Sequence, residues 1–195
     1  VRSDKGTSGT LFTLDPETGF RNVAVIQASY GLGESLVQGR VSPDEFVVFK
    51  PLLGKKNIMP ILSRTIGGKE IKTVFIKNAV REVSVSARER RGFSIEDHEV
   101  MTLASWGIAI EKYFSKKYGR DTGMDIEWAR DGVTGEIFIV QARPETIHGK
   151  AHTAAHREYH LKRRSDILAT GIAVGTRIGA GAVQVLASSR GMERF

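Results

Sequence analysis

The stretches Met124-Asp-Ile-Glu-Trp-Ala129 and Glu136-Ile-Phe-Ile-Val-Gln-Ala-Arg143 alternate apolar and polar residues, and the turn-rich residues 130 to 135 separate them. Such alternation is typical of strands with one buried face, because successive side chains of a strand point to opposite faces. Two such stretches joined by a short glycine-containing turn predict an antiparallel hairpin. This hairpin favours a mixed fold with a substantial antiparallel sheet.

The alternation also predicts which hairpin side chains share a face. Asp125 and Glu127 lie on one face of the first strand, and Gln141 and Arg143 share a face of the second. The apolar residues on the opposite faces are expected to pack into the core: Ile126, Trp128, Phe138 and Val140. Two carboxylates, an amide and a guanidinium would then remain together on the exposed face.

Such a polar set suits a magnesium ion and a phosphate. Carboxylate and amide oxygens are hard ligands for Mg²⁺, which takes few protein oxygens together with water and substrate phosphate. An arginine beside them can bind a phosphate through two hydrogen bonds and stabilise charge that develops during phosphoryl transfer. The alternative is a solvent-facing strand that mixes Asp, Glu, Gln and Arg for solubility, and alternation alone leaves both open.

Upstream of the hairpin, short β-prone stretches predict more strands. Residues 10 to 14 and 23 to 28 predict a strand-turn-strand, because Pro16 and Gly19 between them supply turn geometry. Three further elements are predicted before the long helix: a short helix over 34 to 39 and strands over 45 to 49 and 71 to 76.

A long helix is predicted from Ser94 to Gly119. Ser94 as N-cap, with Asp97 three residues later, is close to a capping box, and Gly119 supplies a stop signal. Four apolar residues recur at near-helical spacing: Val100, Leu103, Ile110 and Phe114. One face of this helix is therefore expected to be buried.

Composition limits the class of protein. The chain has 195 residues, 41% of them hydrophobic, which is enough to bury a core. It has no cysteine, which excludes disulfides and thiolate metal sites and fits a reducing compartment, so a cytoplasmic location is expected. No apolar run reaches the roughly 18 residues of a membrane span, so no membrane partner is expected. The chain opens at Val1 and ends at Phe195 inside an incomplete pattern, and we interpret it as a piece of a longer protein.

The net charge of +7, from 29 Lys and Arg against 22 Asp and Glu, raises the question of a polyanionic partner such as nucleic acid or a nucleotide. The basic residues form short clusters without interleaved aromatic residues for stacking bases. Nucleic acid is therefore not expected as a partner. A G-x-x-x-x-G-K-[ST] motif is absent from the sequence, which excludes a P-loop.

Several motifs in one order carry a family resemblance. Asp125-Ile-Glu-Trp128, followed by Ile139-Val-Gln-Ala-Arg-Pro-Glu-Thr146, resembles the carboxyl-terminal nucleotide-binding signature of the pyruvate/phosphate dikinase superfamily. The upstream motifs that match are Ser8-Gly-Thr-Leu-Phe-Thr13, Asp15-Pro16, Ser29-Tyr-Gly-Leu-Gly-Glu34, Val37-Gln-Gly39 and Pro43-Asp-Glu-Phe46. The resemblance covers nearly the whole chain. It is closest to the branch that uses pyruvate and water as acceptors.

The resemblance implies an α/β (α+β) fold in three parts. Residues 1–148 would be the carboxyl-terminal half of an ATP-grasp nucleotide-binding domain. Residues 149–165, which are polar and helix-permissive, would form a linker helix, and residues 166–195 would begin a swivelling phosphohistidine domain that the chain does not complete.

The resemblance also implies an activity. Such an enzyme moves the β-phosphoryl group of ATP to a histidine, releases AMP and phosphate, and then phosphorylates pyruvate to phosphoenolpyruvate. ATP and pyruvate would be the substrates, Mg²⁺ the metal, and the remaining domains of the longer enzyme the partners. The phosphorylated histidine would lie beyond this chain, so the isolated chain is expected to be inactive. A homo-oligomer is compatible with the sequence, which does not fix the oligomeric state.

Site residues follow from the matching motifs. The resemblance implies that Gly9 and Thr13 lie on a glycine-rich ATP loop and that Glu127 and Gln141 hold Mg²⁺. Arg143 would contact the transferring phosphates and is the candidate catalytic residue.

Other residues have weaker implied roles. Asp125 would assist the metal and phosphate ligands, and Lys72 is a weaker candidate for the nucleotide site, because lysines near strands are commonly solvated. Gly31 and Gly33 are expected to permit a tight strand-to-helix turn.

Two alternatives stay open. Within the superfamily, the acceptor could differ, as in a pyruvate phosphate dikinase or an antibiotic phosphotransferase. From a different class, the chain could be a basic module that binds a nucleotide or RNA without catalysis.

Overall fold

The structure, a computed structural model, describes residues 1–145, 163, 165–168, 179 and 181–182. The chain divides into two compact units, Val1–Tyr159 and His160–Phe195. The predicted linker helix over 149–165 and the predicted further domain over 166–195 lie outside the described residues, apart from isolated positions that belong to no helix or strand. In the described part of the chain, no helix is long and apolar enough to cross a membrane.

The described part of the chain contains eight strands and three α-helices. The strands are β1 (Thr7–Phe12), β2 (Val23–Tyr30), β3 (Asp44–Phe49), β4 (Ile61–Thr65), β5 (Ile71–Ile76), β6 (Ala79–Ser84), β7 (Met124–Arg130) and β8 (Ile137–Pro144). The helices are α1 (Glu34–Val37), α2 (Ala87–Arg90) and α3 (Asp97–Tyr118), with a short 3₁₀ turn over Lys50–Leu52. The sequence predicted β7 and β8 as a hairpin, and it missed β4, β6 and α2.

Six strands form one antiparallel sheet in the order β4-β3-β2-β1-β7-β8, and β5 pairs with β6 in a second, two-stranded sheet. The mixed α/β fold with a substantial antiparallel sheet is therefore confirmed. We call the side of the six-stranded sheet that packs against α3 the inner face, and the opposite side the outer face.

The hydrophobic core lies between α3 and the inner face. Leu11 of β1 and Ile126 of β7 are fully buried there, and they pack in one cluster with Val100 and Leu103 of α3. A Cβ added at Gly107 of α3 would come within 2.7 Å of Leu11 Cδ2, so α3 approaches β1 closely. The core therefore occupies one face of the sheet and leaves the other for a site.

Helix α3 begins two residues later than the sequence predicted. Its N-cap is Glu96, which forms a capping box with Glu99. Ser94 is not the N-cap, because its backbone N–H and its hydroxyl both donate to the carboxylate of Asp44, at 2.7 Å each. The predicted stop is confirmed, since Gly119 adopts the left-handed conformation at φ 64°.

Asp44 is the hub of a buried polar cluster at the start of β3. Besides Ser94, its carboxylate accepts hydrogen bonds from the backbone N–H of Gly67 at 2.9 Å and from Lys69 Nζ. The side chains of Asp44 and Lys69 are both 0% exposed. The cluster joins β3, the β4–β5 connection and the segment before α3.

The Gly31 segment connects the two sheets. Gly31 follows β2 with φ +83°, and a Cβ there would lie 2.3 Å from the carbonyl oxygen of Thr73 in β5. The backbone N–H of Leu32 donates to that same oxygen at 2.7 Å. Gly31 therefore allows the predicted tight turn into α1, whereas Gly33 has an ordinary φ of −66°.

Candidate functional site

Polar residues of five adjacent strands lie in one row across the outer face. Thr10 of β1 lies opposite Gln27 of β2 on one side and Glu127 of β7 on the other. Gln27 in turn lies opposite Glu45 of β3, and Glu127 lies opposite Gln141 of β8. We call these five residues the polar row.

A second row runs beside the polar row and changes in character along the sheet. It begins with Val47 and Val25, continues through Phe12, and ends with the directly opposed pair Asp125 and Arg143. The charges of this row therefore lie on β7 and β8, which we call the charged end of the outer face.

Arg143 is held by Asp125. Its Nε and Nη2 atoms lie 2.8 Å and 2.7 Å from the same carboxylate oxygen, Oδ2. The hydrogen bond to Asp125 and the negative charge of that residue raise the pKa of Arg143, and the charge of Glu127 adds to the effect. The Arg143 side chain stays 61% exposed, so its remaining N–H groups face solvent and can bind an anion.

Glu127 and Gln141 form the second directly opposed pair of the charged end. Side chains at such positions have Cβ atoms about 4.5–5.5 Å apart, close enough to share one ligand. Neither side chain has a hydrogen-bond partner among the described residues. Their oxygens are the type that Mg²⁺ prefers, and two such ligands leave positions for water and phosphate. Within the described ranges, no group of three or more His, Cys, Asp or Glu side chains is arranged to hold a metal ion.

A bulge in β8 corrects the predicted faces of the hairpin. The pairing with β7 shifts between Glu127 and Trp128, so that Val140 is an extra residue without a partner in the ladder. The prediction that Phe138 and Val140 pack into the core is therefore wrong, and they are 43% and 64% exposed. The β8 residues that pack against the core are Ile137, Ile139 and Ala142.

Gly9 and Thr13 do not join the charged end. Residues 7 to 12 form strand β1, which overlaps the strand predicted over 10 to 14. Gly9, expected on an ATP loop, lies within this strand on the inner face. A Cβ at Gly9 would lie 1.8 Å from the carbonyl oxygen of Gln27 and 2.7 Å from Trp128 Cζ2, so packing requires glycine here. The hydroxyl of Thr13 is buried and accepts the backbone N–H of Met124 at 2.9 Å. Nucleotide contacts by Gly9 and Thr13 stay predictions.

Lys72 lies on β5, in the other sheet. Its Nζ donates to the backbone carbonyl of Asp4 at 3.2 Å and lies 3.8 Å from the carboxylate of Glu89. Of the seven predicted residues, the structure thus brings together four: Asp125, Glu127, Gln141 and Arg143.

The part of the polar row that lies beyond Glu127 was not predicted from the sequence. The Thr10 hydroxyl donates to Gln27 Oε1 at 3.3 Å, and Gln27 Nε2 donates to Glu45 Oε2 at 3.2 Å. Gln27 is the polar residue inside the apolar stretch 23 to 28. This interruption of the apolar stretch was the sequence signal that could have placed Gln27 at the site.

Two depressions lie along the outer face and share Gln27 as a lining residue. The smaller, of about 230 Å³, covers the charged end and is lined by Thr10, Phe12, Gln27, Leu36, Val37, Asp125, Glu127 and Arg143. The larger, of about 610 Å³, lies over β2 and β3, and Val25, Val47 and Phe49 belong to its apolar lining. A single elongated ligand could therefore contact both.

The structure is thus a mixed α/β domain whose six-stranded antiparallel sheet has one helix-covered face and one polar, indented face. A comparison with known protein families identifies the kind of domain. Residues 1–163 match the family described as "Pyruvate phosphate dikinase, AMP/ATP-binding domain". The chain belongs to this family.

Curated relatives carry the name phosphoenolpyruvate synthase. The protein of Synechocystis sp. is 48% identical over 198 residues, that of Aquifex aeolicus 45% over 202, and that of Escherichia coli 44% over 200. Each alignment includes 100% of this chain and 24% of the relative. The chain thus spans about a quarter of the length of these relatives.

Proposed function

We propose that this chain is part of a phosphoenolpyruvate synthase and supplies part of its ATP and Mg²⁺ site. The full enzyme would convert ATP, pyruvate and water to AMP, phosphoenolpyruvate and phosphate through a phosphohistidine. The support is the family membership over residues 1–163 together with relatives of that name that align with the whole chain. The domain would be of the ATP-grasp type, with the histidine and the pyruvate site elsewhere in the polypeptide.

The observation that carries the proposal for the site is the pairing of β7 with β8. It places Glu127 beside Gln141 and Asp125 beside Arg143 on one open face. Glu127 and Gln141 would hold Mg²⁺ through one oxygen each. The ion, when bound, neutralises phosphate charge.

Arg143 would act on the phosphates as a fixed cation. Asp125 fixes Nε and Nη2 of its guanidinium, so the side chain loses little further conformational entropy when it binds a phosphate oxygen. Charge that grows on the phosphate oxygens during transfer would then meet a guanidinium already in position. Arg143 is therefore the proposed catalytic residue, and Asp125 is the residue that positions it.

Other acceptors remain an alternative within the family. A pyruvate phosphate dikinase or an antibiotic phosphotransferase would share the nucleotide half of the reaction. The name phosphoenolpyruvate synthase, which relatives with 40–48% identity over 95–100% of this chain carry, favours the proposed activity.

The decisive experiment measures Mg²⁺-dependent ATP binding by the full-length protein. Glu127→Gln and Arg143→Ala should each weaken binding at least tenfold, because each removes a contact to a charged group. The matched controls are Glu136→Gln and Arg81→Ala, which change exposed side chains on the β7–β8 turn and on β6. Binding that is unchanged in both site variants would refute the assignment. RNA binding that weakens with salt and ignores both changes would favour the non-catalytic module.

A further inference from the structure

The polar row continues for three strands, β1, β2 and β3, beyond the proposed phosphate and metal site. From Glu127 it passes through Thr10 to Gln27 and then to Glu45. Neighbouring strands lie about 4.7–4.9 Å apart, so Gln27 is about 10 Å and Glu45 about 14 Å from Glu127 across the sheet. These are distances over which a nucleotide extends from its phosphates to its nucleoside.

Glu45 has the chemistry to recognise a sugar. One of its carboxylate oxygens accepts from Gln27 Nε2 at 3.2 Å, which fixes the side chain on the outer face. Its other oxygen has no hydrogen-bond partner among the described residues. A carboxylate that accepts hydrogen bonds from ribose hydroxyls is a common means of holding the sugar of a nucleotide.

Gln27 has a second role in this arrangement. Its carbonyl oxygen accepts from Thr10 while its amide nitrogen donates to Glu45, so the amide orientation is fixed from both sides. Thr10 lies directly opposite Glu127. Side-chain hydrogen bonds therefore connect Glu45 through Gln27 to Thr10, the residue directly opposite Glu127.

The surroundings of Glu45 suit a nucleoside. Glu45 lines the larger depression, whose floor includes Val25, Val47 and Phe49. A volume of about 610 Å³ accommodates a base and a ribose, and an apolar floor suits the flat surface of a base.

We propose that Glu45 binds the ribose hydroxyls of the nucleotide and that Gln27 positions it, so that the nucleoside lies over β2 and β3. The proposal rests on the proposed function, since it assigns the other end of the same ligand. It predicts that the site discriminates between ribonucleotides and deoxyribonucleotides.

The test compares the affinities of the full-length protein for ATP, 2′-deoxy-ATP and 3′-deoxy-ATP in the presence of Mg²⁺. Wild-type protein should prefer ATP over at least one deoxy analogue by about tenfold, the value of one hydrogen bond to a charged group. Glu45→Gln should weaken ATP binding and abolish this preference, while affinity for that analogue changes little. Gln27→Leu should reduce the same preference without removing the carboxylate.

Glu17→Gln is the matched control, because Glu17 is an exposed carboxylate at the rim of the same depression. It should leave the preference intact. Thermal unfolding of each variant separates a folding defect from a binding defect. An ATP preference that Glu45→Gln leaves unchanged would overturn this inference alone, provided that Glu127→Gln still weakens ATP binding. Binding that is also insensitive to Glu127→Gln would overturn the proposed function and this inference together.

Discussion

Lys69 and Asp44 form an ion pair in which neither side chain is exposed to solvent. The pair is satisfied by further hydrogen bonds, since Asp44 also accepts from Gly67 N–H and from Ser94 N–H and hydroxyl. A buried charge is tolerated only when it is paired and hydrogen-bonded. The pair therefore fixes the connection between β3, the β4–β5 segment and the start of α3.

Removing the carboxylate of this pair should destabilise the fold strongly. Asp44→Ala leaves the ammonium of Lys69 and the hydroxyl of Ser94 buried without their acceptor, and we expect a loss of about 3–5 kcal/mol in the free energy of unfolding. Lys69→Met should cost less, because Asp44 keeps three other donors. Urea unfolding measures both, with the exposed Lys55→Met as control. A loss below about 1 kcal/mol for Asp44→Ala would contradict this account.

Gly9→Ala should destabilise the sheet through overpacking. The added methyl group would overlap the backbone of β2 and the ring of Trp128, and neither can move without distorting the core. We expect the free energy of unfolding to fall by an amount at or above the upper end of the range of about 1–3 kcal/mol that is usual for overpacked cores.

Gly92→Ala is the control for Gly9→Ala, because a Cβ at Gly92 would meet its nearest atom at an ordinary 3.8 Å. Chemical denaturation compares the stabilities of the two variants. Nucleotide titration of Gly9→Ala tests separately whether Gly9 also contacts the nucleotide. Weakened ATP binding at full stability would show that Gly9 contacts the nucleotide directly.

Asp125→Asn should affect ligand binding more than folding. The Asp125–Arg143 pair lies at the surface, where ion pairs contribute little to stability. Asparagine keeps the shape but removes the charge that fixes Arg143, so we expect ATP affinity to fall about three- to tenfold at an almost unchanged melting temperature. A lower melting temperature with unchanged affinity would show instead that the pair serves the hairpin alone.

Asp131 should make stability depend on pH in acid. Backbone N–H groups of Thr134, Val133 and Arg2 donate to its carboxylate and lower its pKa to about 2. Its stabilisation is therefore complete above the unfolded-state pKa of about 3.9 and is lost as the pH falls through about 2.

The measurement is the urea midpoint of wild type and Asp131→Ala between pH 2 and pH 6. The two curves should lie a constant distance apart at the upper end and converge towards pH 2. Parallel curves over the whole range would show that the carboxylate charge does not stabilise the turn. Glu136→Gln, on the same turn, should follow wild type.

The sequence predicted the parts of the fold that local patterns determine. Alternation identified β7 and β8, and helical spacing identified the buried face of α3, where Val100 and Leu103 are fully buried. The stop of α3 at Gly119 followed from the left-handed conformation that glycine favours. Asp125, Glu127, Gln141 and Arg143 were placed on one face by alternation alone.

Long-range pairing explains what the sequence could not predict. Ser94 is a good N-cap locally, yet Asp44 is 50 residues away and takes its hydrogen bonds. Gly9 was expected on a loop. The Trp128 ring, which leaves no room for a side chain at Gly9, lies 119 positions downstream, so no local pattern could reveal this contact. Glu45 was predicted only as part of a strand, and its place beside Gln27 follows from the register of β2 and β3.

The bulge at Val140 has a consequence for errors in folding. A strand that slips by one residue against its neighbour turns its whole set of side chains to the opposite face. In β8 the extra residue returns Gln141 and Arg143 to the outer face, whereas a regular ladder continued from Ile139 would turn both side chains to the inner face. Val140, which is 64% exposed, therefore keeps Arg143 on the outer face opposite Asp125.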